Sequence, residues 1–275
     1  MATSARRAFA AILSIVESAA TPAVSTMNQL YAALVAATLR LFAENSSSFV
    51  TQGSPYFGLA KHAYYACDDF GMSTSSSFTA GGTGAAAFNN ALTGAPGSIS
   101  QTVTTTATPD RSVIMPSGNF NATLVPNNGP LTFESRCQTV TAQDGTDQWS
   151  DRWGTGDTVA AGDTTDGIYF ESDRATYGDN NVRLCTSASS SRTKTTMGVA
   201  PTAGTFQRWS WVCNTGATSV QGFLDDIATG AAVTATIPTA GMAVWWAHIA
   251  KTLGTTARVV YRDYLESYQL YSTPR

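Results

Sequence analysis

Apolar and polar residues alternate through the second half of the chain. In FQRWSWVCN (206–214), Phe206 precedes Trp209, Trp211 and Cys213, which share one face, while Arg208, Ser210 and Val212 share the other. That is the two-residue period of a strand; a helix would scatter the same residues around its circumference. GIYFESD (167–173), NVRLC (181–185), VQGFLDD (220–226) and GTTARVVYRDYLESYQL (254–270) are similar short runs, separated by Gly, Thr, Ser, Asn and Pro. This spacing predicts an all-β sandwich. Further upstream, 65–70 reads as a first strand, and QTVTTTAT, RSVIMPS and LTFESRCQTVT carry strand character up to residue 141. Between them, 71–98 is rich in Ser, Gly, Ala and Thr, with turn signals at Gly81-Gly82 and Pro96-Gly97. It predicts exposed loop or weak edge strands.

The first fifty residues follow a different period. Phe9, Ile12, Leu13, Val16 and Ala20 fall at helical spacing, and Pro22 ends that segment. Thr26 with Gln29 forms a capping box for a second helix, whose stripe is Met27, Leu30, Tyr31, Leu34, Thr38, Leu41 and Phe42. Two short helices with few charges cannot bury such stripes alone. They cap their own sandwich, or they form an arm that docks on sister chains or another protein; the terminal position favours the arm. Arg6-Arg7 followed by AFAAILSIV resembles a secretory leader, but the apolar run is too short to span a bilayer and reads as part of the fold. The predicted organisation is a helical oligomerisation or docking arm at 1–50, a linker at 51–64 and a sandwich at 65–275.

Composition narrows the partners. The chain has 275 residues, enough for one full core. Charged residues make up 13%, about half the usual share. With a net charge of −3 and no Lys/Arg cluster, no nucleic-acid partner is expected. Cys67, Cys137, Cys185 and Cys213 are widely spaced, without a CxxC or Cys/His metal pattern, and read as small buried hydrophobes.

The order of motifs in the second half resembles a known family. Asp166-Gly167-Ile168-Tyr169-Phe170, Gly204-Thr205-Phe206, Val220 to Asp226, Ile237-Pro238, and Gly254 to Arg258 followed by Asp263-Tyr264 are similar to the concanavalin A-like (laminin-G-like) jelly rolls of tailed-bacteriophage structural proteins. The resemblance covers 150–273, is looser back to Tyr65 and absent before that. It implies a mainly β fold, an antiparallel jelly-roll sandwich, to which the periodicity of 1–50 adds a short helical N-terminal arm, and it implies a virion setting; it implies no activity.

Candidate chemistry is sparse. His62 and His248 have no adjacent acid or nucleophile elbow, and the GTG at 154–156 lacks the length and Lys of a phosphate loop. Glucanases among these jelly rolls resemble one another in an E-x-D-x-x-E strand that places alternate carboxylates on one face. Here Glu171-Ser172-Asp173 fits, but residue 176 is Thr; only the distant Glu134 and Glu266 remain to complete a pair. Asp144, Asp147, Asp157, Asp163 and Asp166 crowd a loop region; Asp144 and Asp147 are the candidates for calcium, against a plain turn role. Trp149 and Trp153 are the candidate glycan contacts, with burial between the sheets as the alternative.

These readings converge on a non-enzymatic structural protein on the exterior of a tailed-phage particle, assembled in the host cytoplasm, without cofactor or membrane partner. Phe9, Ile12, Leu13, Val16, Leu30, Leu34, Leu41 and Phe42 would dock it to sister chains, a homotrimer by resemblance, or to other virion proteins. The alternatives are an adhesin module that binds a host-surface glycan and, less favoured, a glycoside hydrolase.

Overall fold

The computed structural model describes residues 63–68, 78–81, 85–89, 98–103, 111–116, 124–157, 164–239, 241–242 and 244–270. The helical stripes of 1–50 lie outside the described residues. The described segments form two antiparallel sheets. The first runs in the order β13 (Ile227–Ala228), β12 (Val220–Leu224), β11 (Gln207–Cys213), β6 (Leu131–Thr139), β15 (Arg258–Leu270), β4 (Ser98–Val103), β3 (Ala85–Asn89), with β1 (Ala63–Asp68) paired to the C-terminal half of β15. The second runs β10 (Ser191–Thr196), β9 (Arg183–Ala188), β8 (Gly167–Asp173), β7 (Gln148–Gly156), β14 (Val244–Leu253), β5 (Arg111–Pro116), β2 (Phe78–Gly81).

Each strand follows from its side-chain alternation. In β6, Leu131, Phe133, Ser135, Cys137 and Thr139 are buried while the residues between them are half-exposed. β11 turns Trp209, Trp211 and Cys213 inward, as the pattern predicted. Between the sheets these meet Trp153, Ile168, Phe170 and Leu184 in one cluster. The aromatic rings pack at offset and edge-on angles: Trp153 lies 5.5 Å from Phe170 and 6.0 Å from Trp209, and Phe133 stacks on Trp211 at 5.8 Å. The hairpin turns use residues at positive φ, Ser189-Ser190 between β9 and β10 and Asp225-Asp226 between β12 and β13, a twist that suits two-residue connections.

Three expectations are refined. β1 begins at Ala63, inside the stretch read as linker, and ends at Asp68. The region 71–98 supplies two short terminal strands, β2 and β3. Cys137, Cys185 and Cys213 are free and buried; burial pushes the Cys137 thiol up to about 12 and Cys213 up to about 11, the protonated form expected of small core hydrophobes.

Candidate functional site

β8 is buried along its whole length, on both faces. Alternation turns Ile168, Phe170 and Ser172 toward the inter-sheet core and Tyr169, Glu171 and Asp173 to the opposite face of the second sheet. A carboxylate there must be paired, and the register brings its partners together. Glu171 sits opposite Arg152 of β7 and Arg183 of β9, and His248 of β14 lies opposite Arg152. Arg152 Nε donates to Glu171 Oε1 at 2.7 Å, and Lys194 Nζ of β10 donates to Oε2 at 2.9 Å. The Tyr177 hydroxyl also donates to Oε2.

The tyrosine is placed by one helical turn, α1 (Arg174–Tyr177). Asp173 caps it, accepting from the Thr176 amide at 3.0 Å and its hydroxyl at 2.9 Å. Gly178, at φ 75°, closes the turn through a 2.8 Å bond to the Arg174 carbonyl. The Arg183 guanidinium lies 3.6 Å from the Tyr177 ring centroid and grips Asp179 with two bonds, 2.9 and 3.0 Å. Further along the same face, Trp246 packs on Tyr169 with Cys185 beside them. Gly154 allows this close fit, since a Cβ there would meet Tyr169 Cα at 2.5 Å.

Electrostatics define what Glu171 can do. Burial pushes its carboxyl up, but Arg152, Lys194 and the bonds from Tyr177 and Lys194 outweigh it and hold it below the usual range. Burial and the bond to Glu171 push the Tyr177 phenol up. Glu171 is therefore a fixed anion. A general acid would need a raised value. The residue where a second Glu would stand, Thr176, donates to Asp173 instead. Glu134 and Glu266 belong to the other sheet, opposite each other on β6 and β15, where Tyr264 and Arg208 engage Glu134.

A second polar cluster lies between the sheets. Asp147 binds Lys251 Nζ at 2.7 Å and Arg258 at 2.9 Å. Asp151 pairs with Arg262, whose Nε donates to Gln101 Oε1 at 3.0 Å. Both calcium candidates already have partners. The Asp144 carboxylate accepts the Thr146 amide and hydroxyl and the Asp147 amide, which hold it at about 2. The Lys251 bond and Arg258 hold Asp147 low against burial. Among the described residues no group of three or more His, Cys, Asp or Glu is placed to hold a metal. The glycan candidates require correction: Trp149 and Trp153 are each 1% exposed. Both face inward on β7, Trp149 against Val103, Ile249 and Val260, so neither offers a platform for sugar. A small opening of about 10 Å³ reaches Asp151 and Trp149 between Thr139, Ala142, Gln143, Ser172, Asn180 and Pro201. That is room for about one water.

The acid stability of the sandwich follows from these carboxylates. Glu171 and Asp147 have folded values below their unfolded ones, 4.5 and 3.8. Their contribution is complete above the unfolded values and is lost as pH falls through the folded ones. Urea melts from neutral pH downward should show unfolding free energy from these groups declining only below about pH 4.5, with the decline shallower in Glu171→Gln. Equal slopes for wild type and variant would remove Glu171 from this account.

The partners of Glu171 were legible only in part. A carboxylate in an apolar strand signals a buried cation, but Lys194 is a hairpin away and Tyr177 stands on a turn that propensity does not announce.

No protein-family profile and no curated protein sequence matches the chain. Its fold matches many solved structures. A protein of unknown function from Shewanella oneidensis MR-1 superposes with a TM-score of 0.52 at 15% identity, over 81% of this chain and 97% of the other. An endo-1,3-β-glucanase from Streptomyces sioyaensis gives 0.52 at 12% identity, covering 76% and 97%. The carbohydrate recognition domain of Emp46p, in a metal-free form, gives 0.52 at 7% identity, covering 73% and 94%. At such identities the likeness is one of fold, a lectin-like jelly-roll sandwich shared by binding proteins and glycosidases.

Proposed function

We propose that this lectin-like sandwich is a non-catalytic display module, a structural or adhesive component of a tailed-phage particle. The observation that carries the non-catalytic reading is the setting of Glu171. It matches the first carboxylate of the glucanase pattern, yet it is fully buried, closed in by two cations and a phenol, and Thr176 stands where the second would be. Retaining and inverting glycosidases both need a second carboxyl group across the bond to be cleaved. The virion setting is supported by the motif order and by the low-charge, hydroxyl-rich composition. Docking is assigned to the apolar stripes of residues 1–50. The lectin-like fold also supports binding of a surface glycan, at a place other than Trp149 and Trp153.

The test is a pair of assays on the full chain. Incubation with β-glucans and β-galactans is expected to release no reducing ends, and light scattering is expected to show an oligomer that Leu34→Glu/Leu41→Glu dissociates. Turnover abolished by Glu171→Gln would make the protein a glycosidase and end the display reading. An oligomer indifferent to the two glutamates would remove the docking role of the stripes.

A further inference from the structure

Asp151 is hydrogen-bonded on one side only. It points from β7 toward the first sheet, is 3% exposed, and its Oδ1 accepts from Arg262. Among the described residues no donor reaches its Oδ2. A buried carboxylate oxygen without a partner is costly, and native proteins satisfy such atoms with protein groups or ordered water. Burial pushes the Asp151 carboxyl up with Arg262 opposing, the direction of an anion short of solvation. Beside it lies the opening of about 10 Å³, and polar groups around that space are short of partners as well. Thr139, at the end of β6, brings a hydroxyl with no hydrogen bond among the described residues. Gln143 Oε1 accepts from the Trp149 and Arg174 amides, while its Nε2 makes one bond, to Ser172 at 3.3 Å, and has a second hydrogen to donate. Ser172 stands directly opposite Asp151 in the register of β7 and β8.

We infer that this opening is a binding site for one ordered water, which donates to Asp151 Oδ2 and ties it to Thr139 and Gln143. Size, polarity and charge select that occupant. About 10–15 Å³ of such space suffices for one water, and a water needs two to four polar partners. Asp151 supplies an acceptor, Gln143 a donor, and Thr139 a hydroxyl that serves as either. The space is too small for a sugar. A metal or ammonium ion is disfavoured, since the Arg262 guanidinium already neutralises Asp151. Thr139 belongs to the first sheet and Asp151 to the second, so the water joins the two sheets beside the buried ion pair.

A crystal structure of the full chain is expected to show one solvent peak about 2.5–3.0 Å from Asp151 Oδ2 and within hydrogen-bond reach of Thr139 or Gln143. Thr139→Val keeps the side-chain shape and removes one partner, and should lower the occupancy of that peak about twofold or more. Asp151→Leu/Arg262→Met removes the acceptor and should abolish it. In solution, the Gln143 side-chain amide hydrogens should show a nuclear Overhauser effect to water that the double variant loses. An opening without a solvent peak in the wild type, a peak that persists in the double variant, or one with the anomalous signal of a metal would each overturn the assignment, as would a wild-type Gln143 with no effect to water.

Discussion

Asp151→Ala is expected to lower the unfolding free energy by about 3–5 kcal/mol, the typical consequence of leaving a buried cation unpaired. A domain of this kind has only about 5–15 kcal/mol in total, so the urea midpoint should fall far, with the slope unchanged. Asp151 and Arg262 are both buried between the sheets and bonded to each other. The guanidinium also rests 5.0 Å from the Trp153 ring centroid and donates to Gln101, whose amide binds the Ala247 carbonyl at 3.0 Å. Removing the carboxylate strands a charge inside the aromatic core. The double variant Asp151→Leu/Arg262→Met should recover most of the loss, because two apolar side chains need no solvation. A single variant within about 1 kcal/mol of wild type would mean that water already screens Arg262 through the neighbouring opening.

Glu171→Ala is expected to cost a similar amount, about 3–5 kcal/mol, because Arg152 and Lys194 lose a shared anion and the Tyr177 hydroxyl its acceptor. Lys194 is the less buried of the two cations and can turn to water, so the loss falls on Arg152. Arg152→Met in the same background should therefore restore part of the stability, whereas Lys194→Met should restore little; a double-mutant cycle measures both. Additive losses for Glu171 and Arg152 would show that the 2.7 Å contact carries no coupling. The two expectations differ in reach. Asp151 holds the sheets together through their shared core, while Glu171 joins β7, β8, β10 and α1 within one sheet.

Thr176 stands where the glucanase pattern has its second Glu, and Asp173, on the same face of β8 as Glu171, caps α1. Fold likeness brings a glucanase and a carbohydrate recognition domain equally near. On the face of the second sheet around Glu171 the residues form a network of charges.

Much of the fold was legible in one dimension because strands have a period of two. Trp209, Trp211 and Cys213 had to share a face once FQRWSWVCN was a strand, and they share the inward one. The same alternation marked β6, β8 and β15, and the order of motifs identified the jelly roll. Alternation does not say which face is covered. GIYFESD reads as amphipathic with its acids outward, yet both faces of β8 are buried, which converts Glu171 from surface decoration into an ion-pair centre. Trp149 and Trp153 carried the same ambiguity, and the direction in which β7 faces its neighbours resolved it toward the core. Asp144 and Asp147 looked like hard-oxygen ligands because sequence cannot show Lys251 and Arg258 arriving from β14 and β15, more than a hundred residues away. The sequence by itself determined the alternation of strands such as β6, β8, β11 and β15 and which of their residues share a face. Only the tertiary structure decided which carboxylates meet cations and which strands end the sheets, because pairing between distant strands is set by register and packing across the whole sandwich, and no local pattern encodes it.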